Sequence, residues 1–202
     1  MLMNDTLNER LSKAGEKFRD PDFRRNLGLG NEIGYYVFDY PASEELIIRD
    51  KVKEWERQID KATYGFGVRV FDIYEIMMDY LEKEGFLEMC FDKEKEDGIR
   101  KVIEAVDCCM RLDHHDGEIV THIRNSLPEN DLISGGTVVF LIGIGKCYPT
   151  IRSHKILTNL HLLLDHVPVV MFYPGKYDGM ELTLFGSVKD DNYYRALPLV
   201  RK

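Results

Sequence analysis

Apolar positions change their spacing along the chain, and each change marks an element. In residues 1–20, Leu7, Leu11 and Phe18 stand at about helical intervals among charged neighbours. This predicts a solvated helix, ended by Pro21 at the latest and free to dock on the body. Asn26 to Gly34 (NLGLGNEIG) reads as a glycine-rich loop into YYVFDY, a short strand that ends at Asp39 and Pro41. Ser43 is suited to cap the next helix, where Ile48, Val52, Trp55, Ile59 and Ala62 recur every three or four residues. After Gly65 and Gly67, VRVFDI predicts a second strand ending at Asp72, and IYEIMMDYLEKEG a helix stopped by Gly85. Ile99, Val102, Ile103, Val106 and Met110 share one face of a helix over 93–111, and 117–127 forms another that ends near Pro128. TVVFLIGIGK is an apolar strand entering a Gly-x-Gly turn, followed by a helix from about Pro149 to Asp165 with Ile156, Leu157, Leu160, Leu163 and Leu164 inward. PVVMFYPG is a further strand.

Strands that are apolar along their whole length and alternate with amphipathic helices predict an α/β fold, a mostly parallel sheet with helices on both faces. The last segment alternates more and lacks an intervening helix. MELTLFGSV and NYYRALPLV are therefore expected as a C-terminal antiparallel hairpin at a sheet edge. No repeat or low-complexity tract divides the chain, so the expected organisation is an N-terminal helical extension over 1–20 and a single α/β domain over 21–202.

Composition narrows the function. The chain of 202 residues is 44% hydrophobic and 31% charged, and carries 27 Lys and Arg against 35 Asp and Glu, a net charge of −8. Such a chain buries roughly 70% of its unfolded surface and needs no metal or disulfide to fold. The acidic balance argues against broad attraction to nucleic acid or to a membrane surface. Cys90, Cys108, Cys109 and Cys147 include no C-x-x-C pair and read as reduced thiols. With no signal peptide and no apolar run of the ~18 residues that span a bilayer, a cytoplasmic protein is expected.

The segment GIGKCYPTIRSH (143–154) is the first chemical candidate. Glycines between a strand and a helix let backbone N–H groups face an anion, while Lys146 and Arg152 add charge and His154 closes the motif. It is not a Walker A loop: Phe140 stands at the first glycine, and Cys147 replaces the magnesium-binding Ser or Thr. The competing reading is a tight turn with basic residues nearby. Asp39, Asp72, Gly143, Gly145, Lys146 and Tyr173 should share the carboxyl end of the sheet, where open α/β sheets bind ligands. There the two aspartates either serve a ligand or cap helices and pair with cations, and Arg152 and Arg195 are suited to pair with Asp39, Asp72 or Asp191.

Three other groups carry side chains suited to chemistry or binding. Asp113-His114-His115-Asp116 is similar to the Asp-His-His signature of manganese phosphoesterases, but it follows a helix and lacks an Asp-x-Asp partner, which favours a solvated turn. His154 and His161 lie about 10.5 Å apart along a helix, too far for one metal, and no metal site is expected. Tyr173, Tyr177, Tyr193, Tyr194 and Arg195 crowd the C-terminal part, either as a partner-binding surface or as an aromatic lid over the core.

Taken in order, NLGLGNEIGYYVFDYP, VVFLIGIGKCYPTIRSHKILTNL, PVVMFYPGKYDGMELTLFG and DDNYYRA resemble the BrxB family over roughly residues 20 to 197. BrxB is a component of BREX (bacteriophage exclusion) defence systems. The resemblance implies a prokaryotic cytoplasmic protein that works beside an ATPase, an adenine methyltransferase and a PglZ-type protein. It carries motif positions rather than roles: Asn26, Gly28, Gly30 and Asp39; Gly143, Gly145, Lys146, Tyr148, Pro149, Arg152 and His154; Pro174, Gly175 and Tyr177; Tyr193, Tyr194 and Arg195. The expected function is a noncatalytic adaptor without a cofactor that binds other BREX components, the PglZ-type protein first. The alternative is an enzyme or sensor that binds nucleotide or phosphate in the crevice. Direct nucleic-acid binding ranks last.

Overall fold

A computed structural model describes residues 6–25, 34–132, 135–161, 164, 167–190 and 196–200. The N-terminal helix α1 (Leu7–Arg19) opens with a capping box between Thr6 and Glu9, and α2 (Pro21–Arg24) is capped by Asp20. Strand β1 (Tyr35–Tyr40) leads to α3 (Glu45–Gln58) and α4 (Lys61–Tyr64). Strand β2 (Gly67–Asp72) then feeds four helices, α5 (Ile73–Lys83), α6 (Phe86–Asp97), α7 (Ile99–Cys109) and α8 (Glu118–Asn125). Strand β3 (Thr137–Ile142) is followed by α9 (Ile144–Cys147) and α10 (Ser153–Leu160). The chain closes with β4 (Val169–Tyr177), β5 (Leu182–Leu184), β6 (Val188–Asp190) and β7 (Leu197–Pro198).

Five strands run parallel in the order β2-β3-β4-β1-β7. Successive side chains leave a strand on opposite faces, so each strand supplies both cores. Tyr36, Phe38, Phe140 and Phe172 face α1, α2 and α3, where Phe140 packs against Phe18, Phe172 and Trp55 with ring centroids 4.9, 5.1 and 5.9 Å away. Val37, Leu141, Met171 and Tyr173 face α5, α8 and α10. The helices after β1 and after β3 thus lie on opposite faces, which opens a crevice at the carboxyl ends of β1 and β4. Among the described residues, no helix is long and apolar enough to cross a membrane.

The α/β class, the parallel sheet and its two helical layers follow the sequence pattern, and four details differ. The expected helix over 93–111 is broken at Gly98, whose φ of +83° lies outside the helical region, so α6 and α7 form a hairpin. The first helix after β1 starts after a 3-10 turn at Ala42–Glu44, has no side-chain cap from Ser43, and ends before Asp60, which caps α4. The expected helix from Pro149 begins only at Ser153: the Tyr148–Pro149 bond is cis and Arg152 is extended. The antiparallel hairpin is β5–β6, while Leu197–Pro198 joins β1 as a parallel edge. The hairpin turn places Phe185 and Gly186 at φ +53° and +74°, a backbone that the Phe identity conceals.

Candidate functional site

At the carboxyl end of β1, Asp39 is almost wholly buried between two elements. Its Oδ1 accepts from Arg10 Nη2 on α1 at 2.7 Å, and its Oδ2 accepts from the Tyr177 N–H of β4 at 3.0 Å. The Arg10 guanidinium also lies 4.7 Å from the Phe38 ring centroid. Beside this pair opens a cleft of about 430 Å³, bordered by Tyr40, Gly175, Lys176 and Phe185. The first carboxylate of the crevice is therefore engaged by an arginine that lies 29 residues upstream.

Asp72 ends β2 and caps α5 by accepting from the N–H groups of Tyr74 and Glu75. Its other oxygen accepts from Lys146 Nζ at 2.7 Å, and Glu75 takes the same ammonium at 3.4 Å. Burial works to lower the Lys146 pKa, but the two carboxylates outweigh it and raise it, so the charge is retained and matched within the protein. The Tyr74 ring lies 4.8 Å from Nζ.

The glycines of the middle motif answer to packing. Gly143 adopts φ +79°, and a Cβ built there would stand 2.0 Å from Asp72 Oδ1. At Gly145 it would meet Pro174 Cγ at 2.7 Å and the Phe185 ring at 3.2 Å, and at Gly175 the Thr183 carbonyl oxygen at 2.1 Å. The Asp72 side chain at the end of β2 thus requires Gly143, and the close approach of α9, β4 and β5 requires Gly145 and Gly175. Phe140 lies in the aromatic core instead of a phosphate loop. Burial, with Asp72 nearby, pushes the Cys147 thiol up to about 12, which opposes a thiolate role.

The sequence-based candidates separate into three groups. Asp39 and Gly175 sit at the cleft with Arg10; Gly143 and Lys146 cluster with Asp72; exposed Arg152 borders a small cavity of about 50 Å³ with Ser153 and Tyr173. His154 is half-buried on α10. Arg152 does not pair with either aspartate, because Arg10 and Lys146 hold those places. Tyr173 and Tyr177 are core residues, 2% and 6% exposed, and the Tyr177 hydroxyl donates to the Ala196 carbonyl at 2.7 Å, so neither offers an open partner surface. Asn26, Gly28, Gly30, Leu163, Asp165, Asp191, Tyr193, Tyr194 and Arg195 lie outside the described residues. Among the described residues, no three His, Cys, Asp or Glu side chains gather at a metal-sized point. The Asp113–Asp116 segment is a turn in which Asp113 pairs with Lys155 and Asp116 with Arg111.

Arg10, Glu75 and Phe185 were missed in the sequence. The signal for Arg10 is its place directly before Leu11 on the helix face that carries Leu11, Ala14 and Phe18; Glu75 lies three residues past the capping Asp72, and Phe185 precedes a glycine between two apolar runs.

Comparison with known proteins adds an independent line. The family model described as BREX protein BrxB matches residues 69–199. A protein named BREX protein BrxB from Bacillus cereus is 43% identical over 196 residues, covering 97% of this chain and 98% of its own length. A second of that name from Escherichia coli is 29% identical over 199 residues, covering 98% of this chain and 94% of its own. No solved structure matches significantly.

Proposed function

Because the chain belongs to the BrxB family of BREX antiviral defence systems, we propose that it is a cytoplasmic, noncatalytic adaptor that binds another BREX component, the PglZ-type protein first. It works in this reading without a bound cofactor. The observation that carries the proposal is the α6–α7 hairpin: α6 has no fully buried residue, and Met89, Phe91 and Ile99 are 64%, 47% and 58% exposed. Apolar side chains held out in this way favour a protein partner, since covering them removes apolar surface from water. The charged groups of the crevice point the same way. Arg10 with Asp39, and Lys146 with Asp72 and Glu75, are matched to one another, which suits a scaffold.

A stable contact buries about 1,600 Å² in total, which a domain of this size can offer. The test is affinity purification of the tagged chain from cells that hold the complete BREX set, at physiological salt. Recovery of the PglZ-type protein in stoichiometric amount is the expected result. A chain recovered free of every BREX component would overturn the reading.

A further inference from the structure

We infer that the groove between α6 and α7 receives an amphipathic helix of the partner protein, one with apolar side chains along its centre and Lys or Arg on its flanks. The inference rests on the adaptor reading and names the surface and the chemistry of its occupant.

The groove encloses about 410 Å³ and is lined by half-buried Phe86, Cys90, Ala105 and Cys109, with Met89 and Asp92 exposed beside them. Phe86, Cys90 and Lys93 recur every three or four residues, so one face of α6 forms a whole wall. Burial raises the Cys90 thiol and pushes Cys109 up to about 11, so both stay neutral and act as apolar lining. Methionine and thiol side chains adapt to an incoming apolar surface.

Charge selects the flanks of the occupant. Helix α6 (FLEMCFDKEKED) has five acidic and two basic residues. Both lysines are taken within the helix, Lys93 by Asp97 and Lys95 by Asp92, each at 3.0 Å. Glu96 lines the groove and, with Glu88 and Glu94 elsewhere on α6, makes no ion pair with a described residue, so the helix beside the groove carries a net negative charge. A basic partner is attracted and oriented by that field. A second copy of the chain would set one acidic α6 against another in a two-fold contact, which the same electrostatics disfavours. Both walls are helices with their backbone groups bonded internally, so no strand edge is on offer and the helix-in-groove mode fits.

The test measures binding of each purified BREX component, the PglZ-type protein first, to the native chain and to Met89→Asp, Glu94→Lys/Glu96→Lys and a control, Leu46→Asp, on the exposed start of α3. These side chains are exposed, so the variants should fold, which circular dichroism checks. The expected result is affinity at least about tenfold weaker for Met89→Asp, a lower salt sensitivity for the lysine pair, and no change for the control. Hydrogen exchange on the native complex should show protection across Phe86–Cys109. Native-like binding by both groove variants, or protection elsewhere only, would overturn the groove and leave the adaptor reading standing. Failure of every component to bind the native chain would overturn both. Self-association of the chain that protects α6 would identify a second copy as the occupant and overturn the inference.

Discussion

Arg10 Nη2 donates to Asp39 Oδ1 at 2.7 Å and ties helix α1 to the carboxyl end of β1. Both side chains are more than nine-tenths buried, so the pair fastens the N-terminal helix over the aromatic core of Phe18, Trp55 and Phe140. Removal of one partner leaves the other charged inside the protein. Arg10→Ala should therefore lower stability by about 3–5 kcal/mol in urea unfolding. The double variant with Asp39→Ala should lose clearly less than the sum of the two single losses. Strict additivity would show that the two side chains act independently.

Gly143→Ala should be among the most damaging single-methyl changes in the chain. It combines a left-handed backbone with a carbon 2.0 Å from Asp72 Oδ1, and about 2–4 kcal/mol of destabilisation is expected. Adding Asp72→Ala should recover part of that loss, even though Asp72→Ala alone removes the cap of α5. A double variant less stable than Gly143→Ala by the full cost of the lost cap would refute the clash.

The thiols should differ in reactivity. Cys108 is exposed, whereas Cys147 is buried with its pKa pushed up to about 12. Iodoacetamide at pH 8 should alkylate Cys108 in the folded protein and reach Cys147 only on unfolding, as read by peptide mass. Early modification of Cys147 would contradict the packing around α9.

Asp131 is a buried carboxylate between Lys61 and Arg69. Burial tends to raise its pKa, but hydrogen bonds from these two cations outweigh it and hold the group below the ordinary carboxylate value. Its contribution is therefore complete above about pH 4 and is lost as pH falls through the depressed folded value. Both cations are about half exposed, so Asp131→Asn should remove about 1–2 kcal/mol at pH 7 and flatten the acid limb of the stability curve. An unchanged acid limb would count against this ion triad.

The parallel sheet was legible because YYVFDY, TVVFL and PVVMFY are apolar on both faces, which a doubly covered strand requires. The break at Gly98 was not, since a single glycine between the charged end of α6 and the apolar spacing of α7 does not by itself end a helix. Phe185 was hidden because its positive φ is unusual for an aromatic residue, so the hairpin turn gave no Asn-Gly mark. The motif Gly143, Gly145 and Lys146 stood out, yet its partners Asp72, Glu75 and Pro174 lie far away in sequence. The pair of Arg10 and Asp39 depends on where α1 docks, and no local pattern encodes that.

The adaptor reading is tested most directly by size-exclusion chromatography with light scattering, on the chain alone and mixed with each BREX component, with and without ATP and magnesium. The expected outcome is a complex with the PglZ-type protein whose mass does not depend on nucleotide. Absence of any complex, together with a nucleotide-dependent change in the chain alone, would contradict it and return the crevice beside Asp39 to the centre of the function.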